Sequence, residues 1–496
     1  MSLSITYARA QLGIDAPLVT VETHLANGLP AFNIVGLPEA AVRESRDRVR
    51  SAIVNSHFEF PQRRITVNLA PADLPKAGGR YDLAIALGIL AASGQVPGEA
   101  LEHYEFIGEL ALSGSLRPIP GALPAAMACR NSSRILVTAR ESASEAALIN
   151  TPVKVASSLL QVCAQLHGRE ALPDAQQDTE QAPVVCADLA DVRGQLKARR
   201  ALEVAAAGGH NLLFYGPPGT GKTMLASRLP GILPPLTEGE LIEVAALYSS
   251  AGLSRIRQRP FRAPHHSASP TALVGGGSDP RPGEISLAHR GVLFLDEMPE
   301  FPRSALEILR EPLENGEVRI SRARAQVTFP ADFQLVAAMN PCPCGYLGEP
   351  RCRCTPDRID RYRNKLSGPL LDRIDMQVEV ASMSASQLQQ AAPGEDSDRV
   401  RQRVQIARQC QLNRQGKINA DLKGSELDEH CRLGNAEGAL LRASVEKLGL
   451  SARSYHRVLK VARTLADLGG QQSIGTGHIA EALAYRNLDR KSIQPA

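Results

Sequence analysis

The sequence predicts a multidomain α/β chain, on three observations. Its 496 residues exceed what one compact core accommodates. Three apolar runs, Asn211–Tyr215, Gly291–Leu295 and Phe333–Met339, have the unbroken hydrophobicity of parallel strands buried on both faces. Beyond residue 385 the apolar positions instead recur three and four residues apart, as in Arg399–Gln411 and Tyr455–Leu468, which is the period of helices packed on one face.

Taken in order, residues 1–165 read as a mixed α/β domain. Ile65–Ala70 and Ile135–Thr138 have strand character, and Leu83–Ala92 reads as a buried helix. Gly168–Pro183 is polar, Pro-containing and aperiodic, so a linker is expected over 166–187. A parallel-sheet core follows over 188–384, opening with a helix that ends at Gly208-Gly209, and a helical domain occupies 385–496. No internal repeat is visible.

Composition narrows the class. Charged residues are 22% and hydrophobic ones 43%, ordinary for a soluble globular protein. The 56 basic and 52 acidic side chains leave a net charge of +4, so nucleic acid binding must rest on local patches. Tryptophan is absent and aromatics are 4%, which argues against extensive base stacking. The N-terminus lacks a basic segment followed by an apolar run, and no stretch of about 18 apolar residues occurs. Nine cysteines, four of them crowded into Cys342–Cys354, fit a reducing cytoplasm better than a disulfide framework.

Gly216-Pro-Pro-Gly-Thr-Gly-Lys-Thr223 follows an apolar strand and has the spacing of a phosphate-binding loop. Backbone N–H groups of Gly216, Gly219, Thr220 and Gly221 can curl around phosphates, with the imino residues Pro217 and Pro218 shaping the turn. Lys222 is expected to reach the β/γ-phosphates of ATP, and Thr223 to hold Mg²⁺. The strand Val292–Leu295 ends in Asp296 and Glu297, placed to bind Mg²⁺ through water and to polarise an attacking water. The strand ending at Met339 delivers Asn340 to the γ-phosphate side. This order of loop, acid strand and Asn strand resembles the AAA+ superfamily over roughly 190–385. Resemblance to its helicase and chelatase branch implies an arginine finger acting in trans, Arg373 of Leu370-Leu-Asp-Arg-Ile-Asp375, and a second sensor at Arg453, or Arg457 one turn on. A finger in trans implies a ring, most simply a hexamer.

About seventy residues separate the phosphate loop from the acid strand. They hold Arg259–Ser267, with His265-His266, and the Gly/Pro-dense Val274–Gly283, lengths typical of functional loops. The two histidines are read as part of this insertion, with no catalytic role. Glu317–Phe329 alternates like a hairpin, with Arg319 on a strand and Arg322 and Arg324 near the tip, a basic tip suited to a phosphate backbone such as DNA. Arg351–Lys365 and Arg399–Lys417 are also basic, as a nucleic-acid contact or a charged helix face. Cys342, Cys344, Cys352 and Cys354 form two C-x-C pairs in a Gly/Pro-rich loop; a structural Zn²⁺ fits, with free thiols or a redox pair as alternatives.

Gly28-Leu-Pro-Ala-Phe-Asn-Ile-Val-Gly-Leu-Pro38, Leu74-Pro-Lys-Ala-Gly-Gly-Arg-Tyr-Asp-Leu83 and Gly477–Arg486 resemble the YifB/ComM family of magnesium-chelatase-like AAA+ proteins, end to end. The resemblance implies a Lon-protease-like fold for 1–165 and helicase activity driving branch migration of DNA during natural transformation. Laid on the Lon segments, Arg80 falls where the nucleophilic serine belongs and Leu123 where the lysine belongs, so a non-proteolytic platform is expected. A motor that remodels a protein partner, as a chelatase subunit does, is the alternative, and an ATP-dependent protease a weaker one.

Overall fold

Five short strands run in one direction and form a single parallel sheet, in the order Phe261–Arg262, Val292–Leu295, Gln334–Met339, Leu212–Tyr215 and Met376–Glu379. The computed structural model describes residues 3–36, 40–74, 76–176, 187–253, 257–277, 280–322 and 325–486. Val292–Leu295 and Gln334–Met339 are buried at every position, as expected of strands covered on both faces.

On one face, Phe214, Val292, Val336 and Val378 share an apolar cluster with the helices Leu196–Gly208 and Lys222–Ile232. Val404 of the helix Ser397–Gln415 and Val458 and Leu465 of the helix Ala452–Leu468 belong to the same cluster, so the C-terminal helices are packed into the core of the sheet. On the other face, Leu213, Leu293, Leu335 and Ala337 meet Leu306 and Phe329. Phe329 comes from the antiparallel hairpin Glu317–Arg322/Ala325–Pro330, whose register pairs Arg322 with Ala325.

The N-terminal part is built on a four-stranded sheet, Leu3–Arg9, Leu18–Ala26, Arg64–Ala70 and Ala31–Val35, and a parallel three-stranded one, Tyr104–Phe106, Ile135–Ala139 and Val153–Ala156. All eleven residues of the helix Asp82–Ala92 are buried, which explains why its sequence is apolar all round. Ser4 and Thr6 side chains donate to the Gly88 and Ala84 carbonyls of this helix (2.6 and 3.0 Å) and tie it to the sheet.

Two contacts dock this part on the central one. Ala122 and Ala125 pack with Ala245 and Ala246 of the helix Glu238–Ser250, and Gln11 Nε2 donates to the Ser250 carbonyl at 2.6 Å. Leu12 and Ile14 pack into the cluster that contains Val327 and Phe329 of the hairpin. Among the described residues no helix is long and apolar enough to cross a membrane.

An ion pair fastens the C-terminal helices to the sheet. Asp375, just before the strand Met376–Glu379, is bonded to Arg457 of the helix Ala452–Leu468 and accepts the Asn211 N–H at 3.1 Å. Burial by itself would lift the Asp375 carboxyl, but Arg457, together with His210, holds it far below the usual carboxylate range. A depressed folded-state pKa contributes stability above the unfolded value of about 4, and that stability is lost as pH falls below it. Arg457→Ala leaves a buried, uncompensated carboxylate and is expected to cost about 3–5 kcal/mol in urea unfolding at pH 7. The difference from wild type is expected to shrink as pH falls, beginning above about pH 4, because burial without Arg457 lifts the Asp375 carboxyl and lets it take up a proton.

Candidate nucleotide-binding site

Because the strands are parallel, the residues that follow Tyr215, Leu295 and Met339 emerge at one edge of the sheet. Gly216 turns away there against the neighbouring strand end: a Cβ at this position would lie 2.2 Å from the Val380 carbonyl oxygen. The loop then delivers Lys222 and Thr223 as the first two residues of the helix Lys222–Ile232. Thr223 Oγ1 donates to Asp296 Oδ2 at 2.6 Å, so the two oxygens suited to a hard divalent cation already lie together. Lys222 Nζ donates to the Gly216 and Pro217 carbonyls (both 2.8 Å) and to Asn340 Oδ1 at 3.2 Å. Burial pulls the Lys222 ammonium below its ordinary pKa, with Asp296 and Glu297 opposing the shift. A cation whose partners are its own loop's carbonyls, beside a glycine-rich turn at a helix N-terminus, fits a polyphosphate.

Glu297 follows in a left-handed backbone conformation (φ 50°), its N–H donating to Asp296 Oδ1 at 2.9 Å. Its carboxylate lies 3.5 Å from His266 Nδ1. Sequence reasoning gave this histidine to the insertion with no catalytic role, because the offset that places it rests on a two-residue strand with too little pattern to read. Phe261 pairs with Val292 and Arg262 with Leu293. Continuing that offset beyond the paired residues sets residue 266 opposite residue 297.

The two candidate arginines lie elsewhere. Arg373 precedes the strand Met376–Glu379 and Arg453 begins the helix Ala452–Leu468, so both stand at the opposite edge of the sheet from Lys222. They line a groove of about 1080 Å³ with Arg457, Lys460, Arg290 and Asp332. Arg373 is bonded to Glu314 and donates to the Pro369 carbonyl at 2.6 Å; burial lowers its pKa from the ordinary guanidinium value. Arg453 is two-thirds exposed and 3.5 Å from Asp372. Arg319 sits on the hairpin strand, 3.3 Å from Glu317, and Arg322 ends that strand; Arg324 lies outside the described residues.

The four clustered cysteines converge as their spacing implied. Every pair of Sγ atoms lies within 4.8 Å, and the three pairs among Cys342, Cys344 and Cys352 are 3.4, 3.6 and 3.9 Å apart. Tetrahedral Zn–S bonds of about 2.3 Å put sulfurs about 3.8 Å apart, so the thiols fit that ion. Backbone N–H groups of Tyr346 and Arg353 hold the Cys344 thiol down to about 6. The loop leaves the sheet just after Asn340 and rests on the phosphate loop: a Cβ on Gly345 (φ 85°) would lie 2.6 Å from Pro218 Cδ.

The basic segment 399–417 is largely consumed internally. Arg403 pairs with Glu203 and Glu395 (2.6 Å each), and Arg414 with Asp467 at 2.7 Å. In the N-terminal part, Arg80 Nη2 donates to the Pro120 carbonyl at 2.9 Å and Leu123 is fully buried. Arg80 and Leu123 are the two residues that the resemblance lays on the serine and lysine of a Lon-type dyad.

Three family models match the chain. "Magnesium chelatase, subunit ChlI" covers residues 188–388, "Subunit ChlI of Mg-chelatase" 21–141 and "Magnesium chelatase, subunit ChlI C-terminal" 394–486. The competence protein ComM of Haemophilus influenzae is 53% identical over 501 residues, spanning 99% of this chain and 98% of that one. The uncharacterized YifB proteins of Salmonella typhimurium and Escherichia coli are 52% and 51% identical over 496 residues, with the same coverage. The nucleotide loop, the acid and Asn strand ends and full-length identity above one half all agree: this chain belongs to the YifB/ComM family of magnesium-chelatase-like AAA+ proteins.

Proposed function

We propose that the protein is a cytoplasmic, ATP- and Mg²⁺-dependent motor that works as a ring, most simply a hexamer, and moves branched or partly single-stranded DNA. The observation that carries the ring is the division of the site. Lys222, Thr223, Asp296, Glu297 and Asn340 gather at one edge of the sheet, while Arg373 and Arg453 line the opposite one. A four-residue strand spans about 13 Å, so neither arginine serves its own chain's nucleotide, and each is suited to a neighbour's. There a guanidinium stabilises charge spread over the transferring phosphoryl group. Arg453 is the freer of the two; Arg373 must first release Glu314.

In this reading Lys222 holds the β/γ-phosphates, Thr223 and Asp296 hold Mg²⁺, Asn340 contacts the γ-phosphate, and Glu297 polarises the attacking water. DNA as the substrate is supported by the arginine-bearing hairpin and by the competence protein among the relatives. Domain limits near 1–165, 188–384 and 385–496 go with it, the N-terminal domain acting as a non-proteolytic platform. The chelatase models favour a second reading, a motor that remodels a protein partner. Steady-state hydrolysis with and without a forked or four-way DNA separates the two. Stimulation by DNA is expected, and hydrolysis indifferent to every DNA would move the reading to the protein partner.

Lys222→Ala is expected to lower turnover by at least about 100-fold. Glu297→Gln should lose a similar factor, on the order of 100-fold, while retaining bound ATP. Wild-type rates in either variant would overturn the site. Replacing Arg322 and Arg324 together by Ala should weaken DNA binding evenly across sequences. The slope of log affinity against log salt should fall by about one for each phosphate that is no longer neutralised.

The four thiols are read as holding one structural Zn²⁺, which braces the loop against Pro218. Elemental analysis of the purified chain is expected to find zinc, and Cys352→Ala to abolish it. Gly345→Ala forces a left-handed backbone and a clash with Pro218, so ATP affinity is expected to fall roughly tenfold with zinc retained.

A further inference from the structure

We propose that Arg353, Arg358 and Arg361 form a second strand-binding surface, apart from the hairpin, which takes the phosphate backbone of single-stranded DNA. This rests on the reading of DNA as the substrate.

Three observations carry it. The first is charge without a partner. Residues 351–365 hold six arginine and lysine side chains against Asp357 and Asp360. Three of the six are engaged: Arg351 by Glu349 at 2.6 Å, Arg363 by the Pro341 carbonyl at 3.4 Å and Lys365 by Glu300 at 3.2 Å. Arg353, Arg358 and Arg361 are exposed and form no ion pair among the described residues. The segment 399–417 differs in this respect, since Arg403 and Arg414 are neutralised from within the chain.

The second observation is a firm mounting. Cys352 and Cys354 face the thiol cluster, and Arg351 and Arg353, which alternate with them, stand outside it. Arg351 lies over the Tyr346 ring, 3.7 Å from its centroid, and so borders the free charges with a flat stacked pair. In the helix Pro356–Arg363, Tyr362 is buried, while Arg358 and Arg361, three residues apart, share a side turned to solvent. Cations carried on a folded loop and a helix lose less freedom on binding than cations on a loose tail.

The third observation is place. Tyr362 and Leu366 lie in the apolar cluster that contains Ile320 and Phe329 of the hairpin, so both basic elements are mounted on one face of the sheet. A strand held at the hairpin is thereby brought to the side of the molecule that carries this helix.

The chemistry selects the partner. A guanidinium recognises phosphate and carboxylate alike, through paired N–H donors. The carboxylates that a neighbouring copy would bring to this edge in the ring are already committed. Glu240, Glu243, Glu314, Asp332 and Asp375 of the groove each pair with an arginine of their own chain. The phosphates of a strand have only condensed counterions, which binding releases. With aromatics at 4% and no tryptophan, charge rather than base stacking carries the contact, so it is indifferent to sequence.

The test measures binding of two labelled single strands of different sequence over a range of salt, with the oligomeric state recorded beside each. It compares wild type, Arg358→Gln/Arg361→Gln, the same pair with Arg353→Gln, and all three arginines replaced by Lys. The pair leaves the cysteine loop untouched and decides the matter where Arg353→Gln disturbs that loop. The triple glutamine variant is expected to bind both strands roughly tenfold more weakly at about 0.1 M salt. The slope of log affinity against log salt is expected to flatten by about 0.7 for each arginine removed, and the lysine variant to keep the wild-type slope. Glutamine variants with wild-type affinity and slope overturn the proposal. So does binding that is lost only together with assembly, since the arginines then serve a neighbouring copy, and so does a loss confined to one sequence. Arg322→Ala/Arg324→Ala, run alongside, keeps the two readings apart. If wild type binds neither strand at any salt, DNA as the substrate has failed and this surface with it. If wild type binds, the hairpin variant binds weakly and the glutamine variants bind normally, only the arginine surface has failed.

Discussion

The parallel register of five short strands is the constraint on which the rest of this structure depends. Strands that run in one direction put every outgoing turn at one edge and every incoming turn at the other. The outgoing edge collects Gly216, Asp296 and Asn340, groups that gain from meeting a polyphosphate and a cation. The incoming edge collects Arg290, Asp332, Arg373 and Asp375, charged groups that border an open groove. The chain cannot bring the two edges together without breaking the sheet. In the proposed ring, a neighbouring copy would supply the incoming edge that this topology keeps away from the chain's own outgoing edge.

The flanking parts are placed by the same sheet. The C-terminal helices have no separate core: Val404, Val458 and Leu465 lie in one apolar cluster with Phe214 and Val336. Their position relative to the incoming edge is then set by the ion pair of buried Asp375 with part-buried Arg457. The N-terminal part rests on the helix Glu238–Ser250 and on the hairpin that carries Arg319 and Arg322. These two elements flank the insertion at 259–283 in sequence, so the N-terminal part is fastened to the core on either side of it.

Much of this was legible in the sequence, for physical reasons that also mark the limits. Unbroken apolarity exposed the three central strands, because only strands covered on both faces tolerate it. The edge strands Phe261–Arg262 and Met376–Glu379 carry polar residues over two and four positions, too little pattern to read. Local spacing exposed the nucleotide loop and the cysteine cluster, yet the support that Gly345 gives Pro218 joins residues 127 apart and needs the fold. The basic run 399–417 was legible as charge and misleading as surface, since Glu203, Glu395 and Asp467 neutralise it from remote or separate elements. His266 was missed for a different reason: its partner is defined by strand offset, and one of the two strands was invisible.

The strengths of the ion pairs match what each must do. Arg9 grips Glu105 through two bonds of 2.6 and 2.8 Å, and the carboxylate is fully buried. Asp375 and Arg457 are similarly enclosed. Removing one partner of such a pair strands a charge away from water, which costs several kcal/mol, so these contacts fix geometry that must not change. His266 and Glu297 are half in water and 3.5 Å apart, a contact worth at most about 1 kcal/mol. That is a poor way to hold a fold together, and either side chain can leave the contact at small cost. The strong pairs thus keep the frame still, while the weak contact at the end of the acid strand leaves its side chains free to rearrange.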